Sequence, residues 1–277
     1  MWQEQRIANP DALGVDLDFQ VHTPDSSETT AALLAELATA GAERVMVLGG
    51  DGMVHLAANA FAGTDTVVGI IAGGTGNDAA RALGLPTDLN DQCRVAATGE
   101  ARSIDLIEAD GERYAVTVAI LGLAVAIDER AQTMSFPKGS AKYTAATLAE
   151  LPRLSRYHLS VTWDGGGHKF ETNLLAVANL SHFGGGMKVA PMADATDGRL
   201  DVVTMGPANP MTFGALLPTV FSGKHVRSKH VRAWQGSEIS IKQLAGDEPL
   251  RMRADGEAWG ELPVTLRCVP NALRVAV

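Results

Sequence analysis

Two glycine-rich turns restrict the folds that are open to this chain. Residues 49–52 read Gly-Gly-Asp-Gly and residues 73–78 read Gly-Gly-Thr-Gly-Asn-Asp, and each turn follows a short apolar run and precedes a helix-like one. Strands that alternate with helices predict a parallel sheet, which binds its ligands at the carboxyl ends of the strands. We therefore expect both turns at one sheet edge in an N-terminal α/β domain.

The residue types in these turns are typical of a phosphate site. Glycine lets backbone N–H groups approach an anion, and the helix that follows adds a partial positive charge. Asp51 and Asp78 bring negative charge to the same place, so phosphates there call for a bridging cation such as Mg²⁺. Neither turn has Walker A or dinucleotide-binding spacing, and two ordinary turns at strand ends are the alternative interpretation.

The bulk properties exclude several classes of protein. A chain of 277 residues is long for one core and suits two domains. Its net charge of −9 argues against nucleic-acid binding, which needs a basic surface. The sequence opens without a basic and apolar leader pattern and contains no run of about 18 apolar residues. With two cysteines far apart in sequence, we expect a cytoplasmic protein that does not span a membrane.

Beyond residue 102 the pattern changes to strand-like runs with a few helical interruptions, which favours an antiparallel β domain. The predicted fold class is therefore α/β. An N-terminal parallel-sheet nucleotide domain, residues 1–102, precedes an antiparallel β-sandwich-like acceptor domain with inserted helices, residues 103–277. The main strand-like runs are 103–108, 114–121, 157–163, 169–180, 200–205, 238–242, 250–254, 261–268 and 273–277, and the helical patterns are 124–132, 142–151 and 211–221.

Two stretches of the second half carry carboxylates that are candidates for chemistry. Glu257 follows an Asp-Gly hairpin turn and can serve as the general base toward a hydroxyl acceptor, whereas the turn alone explains Asp255 and Gly256. Asp194 and Asp197 are spaced to hold a hard cation, and a surface loop is the alternative.

Residues 223–232 concentrate basic side chains, among them Lys224, Arg227 and Lys229, in an otherwise acidic chain. A solvated basic face is the commoner explanation. The functional interpretation is transient contact with an anionic membrane surface, where each basic residue contributes about 1 kcal/mol.

Taken in order, these motifs resemble the diacylglycerol kinase catalytic family, in its soluble bacterial lipid-kinase branch. The resemblance extends from about residue 23 to residue 277 and rests on residues 45–52, 70–84, 102–105, Asn179, 184–186, 190–191, 197–201, 255–257 and Pro263. It implies ATP- and Mg²⁺-dependent phosphorylation of a lipid hydroxyl, with diacylglycerol giving phosphatidic acid as the archetype.

The resemblance also implies a role for each matching residue. Glu257 would be the base, Asp51, Asp78 and Asp105 would organise the catalytic Mg²⁺, and a structural Mg²⁺ would bind Asp197 and main-chain oxygens of Asp194 and Arg199. The residues expected to contact ATP are Thr23, Gly49, Gly50, Asp51, Gly52, Gly73, Gly74, Thr75, Gly76 and Asn77.

The sequence departs from the family pattern in two places. Met53 stands where the family usually has Thr or Ser, and residues 7–10, Ile-Ala-Asn-Pro, leave no room for the helix that normally follows the first strand. A catalytically impaired nucleotide- or lipid-binding protein is therefore one alternative, and an NAD-kinase-like phosphotransferase is another. No pattern distinguishes diacylglycerol from a sphingoid base, a glycolipid or a non-lipid alcohol, and the oligomeric state stays open.

Overall fold

The structure is a computed structural model that describes residues 19–277 apart from residues 112 and 247. Its helices are α1 (Ser27–Thr39), α2 (Asp51–Phe61), α3 (Asp78–Ala82), α4 (Leu89–Thr98), α5 (Leu123–Thr133), α6 (Ser140–Glu150) and α7 (Pro210–Val220), with 3-10 turns at Leu151–Arg153 and Lys224–Arg227. Its strands are β1 (Arg44–Gly49), β2 (Val67–Ala72), β3 (Ala101–Ala109), β4 (Arg113–Ala115), β5 (Val118–Gly122), β6 (Tyr157–Trp163), β7 (Gly166–Thr172), β8 (Leu174–Ala178), β9 (Leu200–Met205), β10 (Val231–Gly236), β11 (Glu238–Gln243), β12 (Arg251–Ala254), β13 (Glu257–Glu261) and β14 (Val264–Ala276).

The strands form two sheets. An eight-stranded mixed sheet runs in the order β1-β2-β14-β11-β6-β7, with β3 and β4 added alongside β14. Its β1, β2 and β14 are parallel neighbours, and its other pairings are antiparallel. The second sheet has six antiparallel strands in the order β10-β9-β8-β5-β12-β13. The predicted fold class is confirmed.

Three apolar layers hold these sheets and helices together. One core lies between α1, α2 and α3 and the parallel strands, around Phe61 and Leu273. A second fills the space between the two sheets, around Leu121 and Leu266, and defines the sandwich. A third lies between the outer face of the six-stranded sheet and α5, α6 and α7. Both glycine-rich turns therefore follow strands that are fixed by packing, at the end where β1 and β2 pass into α2 and toward α3.

Several element predictions need correction. The run 169–180 is two strands, because the chain leaves the eight-stranded sheet after β7 and enters the six-stranded sheet as β8. Asn173 makes the turn between them, where its fully buried side chain donates to the carbonyl of Ser155 and accepts from the N–H of Ala208. The runs 261–268 and 273–277 mostly fall within one strand, β14, which is interrupted by a bulge between Val269 and Leu273.

The expectation of one hairpin over 103–121 is only half right. β3 and β4 do pair, but β5 crosses into the other sheet. The sequence interpretation also missed α4 and β10. Asp88 caps the N-terminus of α4, because its carboxylate accepts the N–H groups of Asn90 and Asp91.

The domain boundary after residue 102 stays a prediction. β3 spans residues on both sides of it, and β14 of the second half lies beside β2 of the first half. Residues 7–10 lie outside the described part of the chain. Within the part that is described, no helix has the length and apolar character needed to cross a membrane.

Candidate active site

The two glycine-rich turns lie directly against each other. The N–H of Gly73 donates to the carbonyl of Gly49 at 2.8 Å, which ties the second turn to the end of β1. A Cβ added to Gly50 would lie 3.1 Å from the Cα of Gly74, closer than most real Cβ contacts. Glycine is needed at this contact because two backbones approach each other where side chains would collide.

The second turn is held in its shape by Asn77. The side-chain oxygen of Asn77 accepts the N–H of Gly74 at 2.9 Å, and its amide nitrogen donates to the carbonyl of Gly74 at 3.0 Å. Asn77 itself is left-handed, with φ of 53°, a conformation that asparagine tolerates better than most residues. Thr75 is exposed between these anchors. The turn is therefore pre-shaped, with an open surface above it.

The first turn leads into α2 without a side-chain cap. Gly50 is the N-cap residue and makes no side-chain hydrogen bond, and a Cβ on Gly52 would meet nothing within 4 Å. Met53, the departure from the family pattern, is half-buried and packs against the N-terminal core. An uncapped N-terminus of an eleven-residue helix beside a glycine turn is a favourable place for phosphate oxygens.

Asp51 and Asp78 converge above Gly76. A Cβ placed on Gly76 would lie 2.9 Å from Oδ2 of Asp51 and 3.4 Å from Oδ2 of Asp78, so both carboxylates face one small space. Burial first, then the charges of Asp78 and Asp255, raise the pKa of Asp51 to about 6. Burial likewise raises the pKa of Asp78, although its carboxylate accepts the N–H groups of Gly185 and Gly186 at 2.9 and 2.7 Å.

A half-buried carboxylate, Asp51, that is repelled by a buried one, Asp78, favours a cation between them. Within residues 19–277, leaving aside 112 and 247, no group of three or more His, Cys, Asp or Glu side chains is placed to hold a metal ion. Mg²⁺ commonly uses one or two protein carboxylates and completes its octahedron with phosphate oxygens and water. The Asp51 and Asp78 pair fits a magnesium ion that arrives with a nucleotide.

Glu257 lies across from α2, at the tip of the β12–β13 hairpin, with an exposed side chain. The carbonyl of Gly256 accepts from Gln132 of α5 at 3.0 Å and from the guanidinium of Arg253. Arg253 also pairs with the buried Asp128 at 2.8 Å. The tip that carries Glu257 is thus fastened to α5 on one side.

The other anchor of this tip is Asp255, which sequence reasoning assigned to the turn alone. Its buried carboxylate accepts the N–H groups of Val116 and Thr117 at 2.8 and 2.9 Å, the hydroxyl of Thr117 at 2.5 Å, and lies 3.1 Å from Nδ1 of His55. Burial would raise the pKa of Asp255, but His55 and these donors hold it below its ordinary value. The turn interpretation was incomplete, because burial of the aspartate cannot be read from an Asp-Gly pair.

Asp105 is held by a different part of the chain from Asp51 and Asp78. Its carboxylate accepts the N–H groups of Gly198 and Asn271, both at 2.8 Å, and its own N–H donates to the carbonyl of Ala195. Asp105 stays a predicted organiser of the catalytic Mg²⁺. It fastens the 194–199 loop to β3 and β14, which is a structural task.

The 194–199 loop carries the second predicted metal site. The carboxylate of Asp194 accepts the N–H and hydroxyl of Thr196, and that of Asp197 accepts the N–H of Arg199. Asp201 lies nearby, and its pKa is raised to about 6 by burial and then by the charges of Asp197 and Asp194. The carboxylates of Asp194, Asp197 and Asp201 thus lie close enough to influence one another by charge. Thr23 lies in the exposed segment before α1.

Comparison with known proteins agrees with this geometry. Residues 7–109 match the family described as diacylglycerol kinase catalytic domain, and residues 117–277 match the YegS C-terminal NAD kinase beta sandwich-like domain. A diacylglycerol kinase of Mycobacterium tuberculosis is 37% identical over 250 residues, which cover 88% of this chain and 79% of that protein.

The chain belongs to the diacylglycerol kinase family.

More distant members of the family support the same assignment. A diacylglycerol kinase of Bacillus subtilis is 27% identical over 226 residues, covering 79% of this chain and 72% of that protein. A YegS-like protein of Xanthomonas oryzae pv. oryzae, named a probable lipid kinase, is 27% identical over 275 residues, covering 95% and 87%. The crystal structure of a diacylglycerol kinase from Bacillus anthracis shares the fold, with a TM-score of 0.72, 18% identity, and coverage of 92% and 83%. The predictions of this family, and of a kinase with an alcohol acceptor, are confirmed.

The family resemblance did not point to several residues that the structure adds to the cleft. A Cβ on Gly184 would lie 3.5 Å from Cδ1 of Tyr143, and the N–H groups of the next two residues bind Asp78, so Tyr143 packs beside the loop that holds this carboxylate. Burial and the charges of Asp128, Asp78 and Asp51 raise the pKa of Tyr143. Its ring packs edge-on against Phe183, with centroids 6.5 Å apart. Spacing could have suggested His55, which lies one helical turn after Asp51 on α2, but no sequence pattern ties Tyr143 to the glycine turns.

The basic run of this diacylglycerol kinase family member is only partly exposed. Lys224, Arg227, Lys229 and Arg232 face solvent, whereas His225 is buried and hydrogen-bonds the carbonyl of Val189 at 3.0 Å. Met211 and Phe221 of the adjoining α7 segment expose 85% and 39% of their surface. The run is therefore a basic face beside apolar side chains rather than a continuous charged strip.

Proposed function

We propose that the protein transfers the γ-phosphoryl group of ATP to the hydroxyl of a diacylglycerol-like lipid, giving a phosphatidic acid-like product. The observation that carries this proposal is the pair of carboxylates, Asp51 and Asp78, above two touching glycine turns and across from the hairpin of Glu257. Relatives named diacylglycerol kinase and lipid kinase support the choice of acceptor class.

In this proposal the glycine turns hold the phosphates of ATP. Gly50 and Gly52 leave backbone N–H groups accessible, and the N-terminus of α2 favours negative charge. Asn77 keeps the second turn in shape, and Thr75 offers its hydroxyl at the open surface. The contact of Thr23 with ATP stays a prediction.

Magnesium would be held by Asp51 and Asp78 together with phosphate oxygens, which explains why two carboxylates are tolerated at this depth. When bound, the ion neutralises charge on the transferred phosphoryl group. A second, structural magnesium at Asp197 and the main-chain oxygens of Asp194 and Arg199 is a further part of the proposal. The aspartates gathered around that loop support it.

Glu257 would act as the base. Its carboxylate takes the proton of the acceptor hydroxyl as the acceptor oxygen bonds to the γ-phosphorus, and the bond from phosphorus to the bridging oxygen breaks to release ADP. The acceptor would approach beside Tyr143 and Phe183, whose rings pack edge-on against each other. Exposure of Glu257 leaves room for that approach.

The test combines an acceptor assay with one substitution. Wild-type protein with labelled ATP, Mg²⁺ and diacylglycerol micelles should give labelled lipid. Glu257→Gln should lower kcat by about 10²- to 10⁴-fold while ATP binding, measured by calorimetry, persists. Glu261→Gln, at an exposed position of the same strand, is the matched control and should change little.

Two outcomes would overturn parts of the proposal. Full activity of the Glu257→Gln variant would remove the base assignment. Transfer to a nicotinamide dinucleotide or to another non-lipid alcohol, without transfer to lipid, would remove the acceptor class.

A transient contact with an anionic membrane surface belongs to the same proposal. Lys224, Arg227 and Lys229 would meet the anionic headgroups while the exposed Phe221, next to this run, enters the interface. Reversal of the three charges to Glu should weaken co-sedimentation with phosphatidylserine vesicles, whereas Lys169→Glu on β7 serves as a control. Binding that is insensitive to both changes would contradict the contact. In this proposal the protein is cytoplasmic and binds the membrane peripherally.

A further inference from the structure

One side of α2 contacts the hairpin that carries Glu257. Asp51, His55 and Asn59 recur at four-residue spacing, so they lie along one side of the helix. Asp51 takes part in the phosphate site, and Asn59 is clamped to β4, because it exchanges hydrogen bonds with the N–H and carbonyl of Tyr114 at 2.9 and 2.8 Å. His55 stands between them and has no role in the family resemblance.

His55 reaches the hairpin through Asp255. Nδ1 of His55 lies 3.1 Å from Oδ2 of Asp255, and the side chains are only 14% and 1% exposed. Asp255 is two residues before Glu257 and holds a left-handed conformation with φ of 50°. A displacement of Asp255 therefore also displaces Glu257, because only one tight turn joins the two residues.

Charge reinforces this contact. Desolvation lowers the pKa of His55, but the hydrogen bond and charge of Asp255, followed by the charge of Glu257, raise it above its ordinary value. The charged groups that face His55 from the hairpin are thus Asp255 and Glu257, and both attract a protonated imidazole. Asp51, on its own helix, is coupled to Asp255 by charge.

We propose that His55 is a positioning residue that holds the Glu257 hairpin in register with Asp51 of the phosphate site. This inference rests on the proposed function, since it assigns Glu257 the role of base. Displacement of a catalytic group by about 1 Å can cost about 100-fold in rate, so a fixed link between the two sides of the cleft has catalytic value.

The hairpin does not need His55 in order to fold. Val116 and Thr117 supply Asp255 with three other donors, and Gln132 and Arg253 hold the carbonyl of Gly256. Replacing His55 should therefore loosen the position of Glu257 without unfolding the protein.

The experiment compares His55→Ala with His55→Asn, whose amide can donate from nearly the same place as Nδ1. We expect His55→Ala to lower kcat for lipid phosphorylation by about 10- to 100-fold with the KM for ATP changed less than twofold, and His55→Asn to restore most of the loss. The matched control is His158→Ala. It breaks the exposed pair of His158 and Glu171, 3.3 Å apart, on β6 and β7 of the eight-stranded sheet. It should leave both constants unchanged.

Amide hydrogen exchange gives a readout that does not depend on activity. Residues 255–258 should exchange faster in His55→Ala than in wild type and His55→Asn, with the thermal midpoint nearly unchanged. Unaltered kcat in His55→Ala, an equal loss in His55→Asn, or unaltered exchange at the tip would each overturn the positioning role. If wild type phosphorylates no lipid, the proposed function fails, and the exchange comparison still decides whether His55 holds the tip.

Discussion

At the scale of single residues, the buried Asp255 and the half-buried Asp51 differ because their partners differ. Asp255 has four donors and a depressed pKa, whereas Asp51 has a raised pKa, since burial and two neighbouring carboxylates outweigh its hydrogen bond from the N–H of Ala79. The same residue type thus carries a stabilised negative charge at Asp255 and a destabilised one at Asp51. Only the second arrangement benefits from a cation.

Removing the charge of Asp51 should stabilise the protein while it disables the site. We expect Asp51→Asn to raise the free energy of unfolding by about 1 to 3 kcal/mol at pH 8, because the native carboxylate is disfavoured. The gain should shrink as the pH falls through about 6 toward the ordinary value of 3.8, where folded and unfolded chains are both protonated. Urea titrations at pH 8 and pH 4.5 measure it, and a pH-independent difference would contradict this account.

Asp255 should show the opposite behaviour. Asp255→Ala leaves the N–H groups of Val116 and Thr117 buried without an acceptor, and we expect a loss of about 3 kcal/mol or more in urea unfolding. Asp110 is a matched control, because it occupies an equivalent left-handed Asp-Gly turn, with φ of 58°, on the surface. If Asp110→Ala costs as much as Asp255→Ala, turn conformation rather than the buried network explains the effect.

At the scale of elements, sequence patterns predicted strands correctly where the whole run lies in a single sheet. The runs 157–163 and 200–205 match β6 and β9 because turn residues or prolines bound them and each run stays in one sheet. The prediction of one strand over 169–180 was wrong because both halves are apolar enough for a strand. The change of sheet at Asn173 depends on tertiary packing, which the local sequence does not show. The sequence interpretation missed α4 although its buried residues recur at helical spacing, because that buried face consists of small or polar side chains, namely Gln92, Cys93, Ala96 and Ala97.

The packing of α4 on β2 depends on one glycine. A Cβ on Gly69 would lie 2.7 Å from the Cα of Ala96, which is backbone that cannot turn aside. Gly69→Ala should therefore displace α4 and lower the free energy of unfolding by about 1 to 3 kcal/mol. Gly214→Ala in α7 is the control, because its nearest neighbour is the Cδ1 of Leu151 at 3.5 Å, and it should stabilise by about 0.5 to 1 kcal/mol. Equal thermal midpoints for the two variants would refute the close approach.

At the scale of the whole molecule, the order of motifs predicts the two-part architecture and the meeting of the glycine turns, since parallel strands place their following turns at one edge. It does not predict how the parts are joined. β14 is a late segment of the chain, yet it pairs with β2 in parallel, with β3 over most of its length and with β11. Non-local pairing of this kind leaves no local sequence signal.

The N-terminal segment should therefore be unable to fold alone. A fragment of residues 1–102 lacks β14, so β2 has an unpaired edge and the core around Phe61 loses Leu273 and the other residues of β14. We expect it to show no cooperative thermal transition by circular dichroism, whereas the full chain does. A fragment with a sharp transition would show that the first half is an independent folding unit.

The pairing of β14 also has a consequence for biosynthesis. Ribosomes release β1 and β2 long before β14, which is the last of the strands described here to be made. Until it emerges, the sheet beneath the glycine turns stays incomplete, and the nascent chain depends on slow, long-range pairing while apolar strands are exposed. Chaperone occupancy during translation should accordingly persist over the first half of this protein until synthesis has passed β14.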